Sequence, residues 1–182
     1  MLEVPVFLTG FMGVGKSKIG LLLAQRLGRV FLDTDQLVEA RAGRTIARIF
    51  AEEGESRFRQ LEHQCVQEAA ARKDAVIALG GGAIAQERTL QLVRRAGVLV
   101  CLQADVETIL ERVSRNAERP LLAGLSGEEK RRKIERLLAE RAPYYDQADL
   151  KIRSSEERTP EETAAQLVRL LENWSAQNRH RY

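Results

Sequence analysis

Short apolar runs alternate with longer stretches in which apolar residues recur every third or fourth position, and this alternation organises the whole chain. Residues 4–9 read as a buried strand, with Pro5 tolerable near its start. Residues 16–27 put Ile19, Leu22, Leu23 and Leu27 on one helical stripe, and Gly28 is placed to stop it. A short second strand covers 30–32, and helical segments follow near 35–41, 45–53 and 55–72. A third strand at 75–79 ends in three glycines, 80–82. A helix near 86–95 and a strand at 98–102 come next, and Asp105 is placed to cap a helix reaching about 112. Residues 112–125 carry no clean period and are expected to form a loop. Ser126-Gly127-Glu128-Glu129 is a capping box opening a charged helix to about 141. A fifth strand covers 150–153. Thr159-Pro160-Glu161-Glu162 is a second capping box with proline in the first turn. Its helix carries Leu167, Leu170, Leu171 and Trp174 on one face, and 175–182 read as a polar, fraying tail.

Strands alternating with helices predict an α/β fold with a mainly parallel sheet and right-handed crossovers. In such folds ligands sit at the carboxyl ends of the strands. The chain has 182 residues, which predicts one domain, at 1–174, followed by the tail. Lysine and arginine number 29 against 26 acidic residues, a surplus too small to imply nucleic acid. Segment 128–141 mixes both signs and reads as a solvated helix face. There is no apolar run of membrane-spanning length, and the start MLEVPVFLTG lacks a basic region and a cleavage pattern, so neither membrane association nor a signal peptide is expected. Cys65 and Cys101 lie within apolar patterns and read as buried free thiols, which fits a cytoplasmic protein. His63 and His180 match no metal-ligand spacing.

The strongest chemical signal is Gly10-Phe11-Met12-Gly13-Val14-Gly15-Lys16-Ser17, which matches G-x-x-x-x-G-K-[ST] between a strand and an amphipathic helix. The alternative, a chance glycine turn, does not account for both flanks. Such a loop curls backbone N–H groups around phosphate, and the helix N-terminus adds positive potential. Lys16 reaches the β- and γ-phosphates, and the Ser17 hydroxyl ligates Mg²⁺. The loop therefore points to ATP or a similar nucleotide without naming the acceptor. Asp33 and Asp35 follow the second strand and would face one side of an extended chain. One could hold a water of the Mg²⁺ shell while the other binds an acceptor hydroxyl and takes its proton; equally, either could cap the next helix.

Taken together, GFMGVGKS at 10–17, DTD at 33–35, Phe58-Arg59 within GESRFRQLE, GGG at 80–82, RPLL at 119–122 and Arg141-Ala142-Pro143-Tyr144 resemble the shikimate kinase family, a branch of the P-loop kinases. The resemblance runs from about residue 4 to residue 171. It implies a three-layer α/β/α fold with a five-stranded parallel sheet ordered 2-3-1-4-5. It also implies transfer of phosphate from ATP, with Mg²⁺, to the 3-hydroxyl of shikimate, in the cytoplasm and as a monomer. By resemblance Asp33 helps organise Mg²⁺, and Asp35 binds shikimate and serves as base. Arg59 and Arg141 grip its carboxylate, and Gly81 and Gly82 offer backbone contact. Arg119 comes from a mobile lid at 112–125 onto the transferred phosphate. Arg112 stacks on adenine and Arg158 contacts the nucleotide, alongside Gly13, Val14, Gly15, Lys16, Ser17 and Lys18 of the loop. Substrate-binding helices are implied near 33–61. One departure is Lys18, where the family usually has threonine; it either meets the α-phosphate as a cation or is a solvated helix residue. The rival readings are a related small-molecule kinase, such as a gluconate kinase, and a non-catalytic nucleotide-binding relative. The Arg59, GGG and Arg141 set favours a ring acid over the first, and the presence of Lys16, Asp35 and Arg119 disfavours the second.

Overall fold

The computed structural model describes residues 3–115, 122, 124–154, 158–178 and 180. Five parallel strands form one sheet: β1 (Val6–Thr9), β2 (Val30–Asp33), β3 (Ala75–Ala78), β4 (Val98–Gln103) and β5 (Leu150–Arg153), in the order β2-β3-β1-β4-β5. This is the predicted order. Around them lie α1 (Lys16–Leu27), α2 (Thr34–Ala42), α3 (Ile46–Ala70), α4 (Glu87–Ala96), α5 (Val106–Ser114), α6 (Gly127–Tyr145) and α7 (Pro160–Gln177).

The central strands are apolar except at their C-terminal residues Thr9 and Gln103, because both sheet faces are covered. Side chains alternate across the sheet, so β1 sends Val6 and Leu8 to one face and Phe7 to the other. Val6 and Leu8 join Val98, Val100, Ile134, Leu167, Leu171 and Trp174 in one core. Phe7 joins Ile77, Leu99, Cys101, Val66, Leu90 and Val93 in a second. A small third cluster, Val38, Ile49, Phe58, Leu61 and Cys65, packs α2 onto α3. Both cysteines are buried and free, as expected.

Helix starts follow the sequence closely. Asp105 caps α5, and both capping boxes form, Ser126 with Glu129 and Thr159 with Glu162. The two helical segments expected at 45–53 and 55–72 are both present within α3 and part at Gly54, where φ is 80° and ψ is 173° and the helical path breaks. Helix ends are where sequence and structure part. α5 runs to Ser114, so Arg112 belongs to a helix and not to a loop. α7 runs through Gln177, three residues into the expected tail. α6 does not stop at Arg141 but passes through Pro143 to Tyr145. A proline in the last turn forfeits one backbone bond, and burial of Tyr145 favours the extra turn.

At the end of the sheet away from the strand C-termini, Gly97 joins α4 to β4 with extended backbone. A Cβ there would overlap the Pro5 carbonyl oxygen, which is itself held by the Val98 N–H at 3.0 Å. Gly97→Ala should therefore lower the melting temperature by about 4–8 °C, the scale of about 2 kcal/mol of overpacking in a chain of this length. Thermal unfolding followed by circular dichroism reads this directly. An unchanged midpoint would mean that the Pro5 segment yields without cost.

Candidate active site

The loop after β1 carries the anion-binding backbone. Gly13 (φ 80°) and Gly15 (φ 95°) take left-handed conformations that other residues rarely adopt, and this curls the chain into α1. Helices α2, α3, α5, α6 and α7 start under side-chain caps, whereas α1 starts at Gly15, and α4 at Gln86, with none. The N-terminus of α1, following the glycine loop, offers positive potential to an anion. The Lys16 ammonium folds back on the loop, donating to the Gly10 and Phe11 carbonyls at 2.8 and 3.1 Å. Val14 is buried beneath the loop, while Ser17 and Lys18 are exposed on the first turn of α1. Arg112 reaches over from α5, donating to the Gly13 carbonyl at 3.3 Å and to the Ser154 hydroxyl at 3.1 Å. Arg158 is half-buried just before the Thr159 cap of α7. Arg119 and most of the segment expected as a lid lie outside the described residues. Within that segment Leu122 is buried against Phe11, Val14, Ile109 and Val113.

Asp33 and Asp35 do not share the face of a strand. The chain turns helical at Thr34, so Asp33 ends β2 and caps α2, its Oδ1 accepting the Asp35 N–H at 3.0 Å. Its Oδ2 accepts from the Ser17 hydroxyl at 2.6 Å. Capping and contact with the loop serine thus coexist in one carboxylate, and Asp35 is turned the other way, toward the triple glycine.

That turn gathers the remaining charges. Gly80 donates its N–H to the Thr34 hydroxyl at 3.0 Å, tying β3 to the start of α2. A Cβ on Gly80 would lie 2.5 Å from Glu62 Oε1 and 2.8 Å from Asp35 Oδ1. A Cβ on Gly82 would lie 2.9 Å from the Arg59 guanidinium. On Gly81 it would be 3.5 Å from Arg141 Nη1, from the Gly10 carbonyl oxygen and from the Met12 nitrogen. None of the three glycines has positive φ, so at Gly80 and Gly82 it is space and not backbone conformation that disfavours a side chain, while a Cβ on Gly81 would make ordinary contacts. Arg141 donates to the Gly81 carbonyl at 3.0 Å and stacks over the Phe11 ring at 5.4 Å. Arg59 and Arg141, far apart in sequence, thus border adjacent glycines.

Glu62 was not singled out from the sequence. Its side chain is 1% exposed and pairs with Arg59 at 2.7 Å, while Gln86 donates to the same oxygen at 3.2 Å. Its other oxygen, Oε1, has no donor among the described residues. The signal was present: Phe58, Leu61, Cys65, Val66 and Ala69 form the buried stripe of α3, and a carboxylate stands within it, three residues after an arginine. Burial works against the Arg59 charge, but Glu62 and Glu55 outweigh it and hold its pKa above the ordinary value.

A phosphate-binding loop at the end of β1, an uncapped helix behind it and a charged, glycine-floored recess beside that loop define a P-loop phosphotransferase with a small anionic acceptor. The model of one family, shikimate kinase, matches residues 12–172. A shikimate kinase of Chlorobium luteolum is 45% identical over 174 residues, covering 91% of this chain and 86% of its own. The solved shikimate kinase of Bacteroides thetaiotaomicron superposes with a TM-score of 0.87 at 34% identity, over 93% of this chain and 98% of its own. That of Acinetobacter baumannii, in complex with shikimate, superposes with a TM-score of 0.87 at 36% identity, over 93% of both chains. The chain belongs to the shikimate kinase family, and membership carries with it the use of ATP.

Burial pushes the Glu62 carboxyl above its usual range, against the pull of Arg59; Asp35 adds to the rise and Arg141 opposes it. A carboxyl that holds its proton more tightly when folded stabilises the fold at low pH, and that contribution is lost as pH rises through its folded pKa. Glu62→Gln removes the titration. The melting temperature of the variant, relative to the parent, should climb as pH rises above the ordinary glutamate value. A difference that stays flat or falls would show that the carboxyl is not raised.

Proposed function

We propose the following roles in phosphoryl transfer from ATP to the 3-hydroxyl of shikimate, giving shikimate 3-phosphate. The observation that carries them is the nearness of the two halves of the site: the Gly80–Gly82 turn, with Asp35, Glu62, Arg59 and Arg141 around it, lies a side chain's width from the phosphate loop at Gly10 and Met12, and Arg141 bridges the two, bonded to the Gly81 carbonyl and stacked over Phe11. An acceptor on the turn lies beside phosphate on the loop. Transfer of this kind requires positioning and charge neutralisation more than covalent chemistry.

Gly13, Val14, Gly15, Lys16 and Ser17 cradle the phosphates, with Lys16 leaving the Gly10 and Phe11 carbonyls for phosphate oxygens. Arg112 and Arg158 flank the nucleotide side. Lys18, exposed one residue beyond the loop serine, is read as a solvated residue. Mg²⁺ fits the oxygens of Ser17 and Asp33, which stand 2.6 Å apart at the start of α1. It favours a few protein oxygens beside phosphate and water. When bound it neutralises charge on the phosphates. Asp35 orients the acceptor hydroxyl and takes its proton. Gly81 and Gly82 present backbone to the acceptor, whose carboxylate lies between Arg59 and Arg141, and planar guanidinium forks suit that group. Glu62 holds Arg59 in place. α2 and the first half of α3, near 33–61, form the acceptor-binding helices.

All these groups come from one chain, and we read the enzyme as a monomer. No described helix is long and apolar enough to cross a membrane. Two buried thiols fit a cytoplasmic setting.

Because Asp33 and not Asp35 caps α2, Asp35→Asn leaves the cap intact and tests the base alone. Turnover should fall about 10²- to 10⁴-fold, the range for a general base, with nucleotide affinity by calorimetry unchanged. Normal turnover at saturation would remove Asp35 from the mechanism. The carboxylate grip is tested by coupling. Arg141→Ala should weaken shikimate about 30- to 4,000-fold, as for half of a desolvated charge pair of about 2–5 kcal/mol. Shikimate methyl ester should be a poor substrate for the parent, and its handicap should largely vanish in Arg141→Ala. An equal ester penalty in both enzymes would place the carboxylate elsewhere.

A further inference from the structure

Arg141 and Tyr145 stand one turn apart on α6, so they project from the same face. Both reach one atom. Arg141 Nη1 donates to the Gly81 carbonyl oxygen at 3.0 Å, and the Tyr145 hydroxyl donates to it at 2.8 Å. A carbonyl oxygen has two lone pairs, and these donors fill them. Tyr145 is buried, and burial pushes its phenol up to about 12, so the hydroxyl stays a donor at working pH.

Fixing this carbonyl fixes more than one atom. The Gly81–Gly82 peptide is trans and planar, so its N–H points opposite to its C=O. The oxygen points at α6. The Gly82 N–H therefore points away from α6. The backbone bonds of this turn are donated by Ala83 to the Gly80 carbonyl and by Ala85 to the Gly82 carbonyl, and among the described residues none accepts from the Gly82 N–H.

We propose that Tyr145 is a positioning residue for the acceptor: its hydroxyl latches the Gly81 carbonyl, aims the Gly82 N–H into the acceptor recess, and frees Arg141 to turn its other N–H groups onto the acceptor carboxylate. This role rests on the placement of shikimate against Gly81 and Gly82 given above. With Arg141 as sole donor, each movement of the guanidinium toward the carboxylate would release the peptide. Tyr145 carries no charge for the carboxylate to attract, so its bond does not compete with substrate. The latch exists because α6 continues past Pro143; a helix ending at Arg141 would not bring residue 145 onto the same face.

Tyr145→Phe removes one oxygen and keeps the ring. The expected result is a 5- to 20-fold loss of shikimate affinity by calorimetry, the scale of one buried hydrogen bond. Nucleotide affinity should stay near that of the parent, and the melting temperature should fall by only about 2–4 °C, the scale of one buried hydrogen bond in a chain of this length. Amide exchange followed by NMR supplies a measurement that needs no variant. In the parent, the Gly82 amide should exchange readily without ligand and slowly with shikimate bound. In Tyr145→Phe, that protection should shrink. If the parent Gly82 amide ignores shikimate, the acceptor is not on this turn, and the site reading falls together with the latch. A Gly82 amide already protected without ligand overturns the latch alone. So does a Gly82 response in the parent with unchanged shikimate affinity in Tyr145→Phe. Parallel losses of shikimate affinity and nucleotide affinity with a larger fall in melting temperature also overturn it, since they mark general packing.

Discussion

The site depends on three consecutive residues without side chains. The turn after β3 is a stretch of bare backbone onto which two carboxylates and two guanidinium groups descend from α2, α3 and α6, and a methyl group at Gly80 or Gly82 would collide with them. The close approach does two things at once. It brings charges from distant parts of the chain to within reach of one small molecule, and it exposes peptide groups as additional polar contacts. Because the turn also lies beside the phosphate loop, acceptor and donor recesses share a wall made of main chain. Main chain serves as such a wall where hydrogen bonds hold it, as Arg141 and Tyr145 hold the Gly81 carbonyl.

Charge balance explains why such crowding is stable. Isolated buried charges are costly, and they persist where they are paired and hydrogen-bonded. Glu62 answers Arg59 and accepts from Gln86, while Arg141 lies across an aromatic ring and a carbonyl. Arg59 is held by two carboxylates, Glu55 at its Nε and Nη2 and Glu62 at its Nη1. Arg141 is held instead by a carbonyl and an aromatic face, which do not neutralise its charge.

Much of this was legible in the sequence, and the division is physical. Strands buried on both faces, capping boxes and the phosphate loop are local patterns, and local patterns survive in one dimension. The aspartates at 33 and 35 were legible as a pair but not in their roles, because their separation depends on the chain turning helical at Thr34. Arg59 and Arg141 were visible only through the family resemblance, since in a chain this rich in arginine one cation looks like another. Glu62 stood in the apolar stripe of α3 and was overlooked among the many surface carboxylates. Tyr145 was hidden for a different reason. Proline is a reliable punctuation mark for helix ends, and α6 overrides it with tertiary packing that no local pattern records.

Asp33 has a consequence that reaches beyond capping. Its two oxygens face different clients: one holds the first turn of α2, and the other holds the serine of the phosphate loop. The joint between the halves of the enzyme is therefore the width of a single carboxylate, with no hinge or linker between them. A change in what Ser17 binds is felt at the first peptide of the helix that carries Asp35. Mechanically the arrangement is a short coupling, two hydrogen bonds on one carboxylate, and it ties the registration of donor against acceptor to the geometry of those bonds.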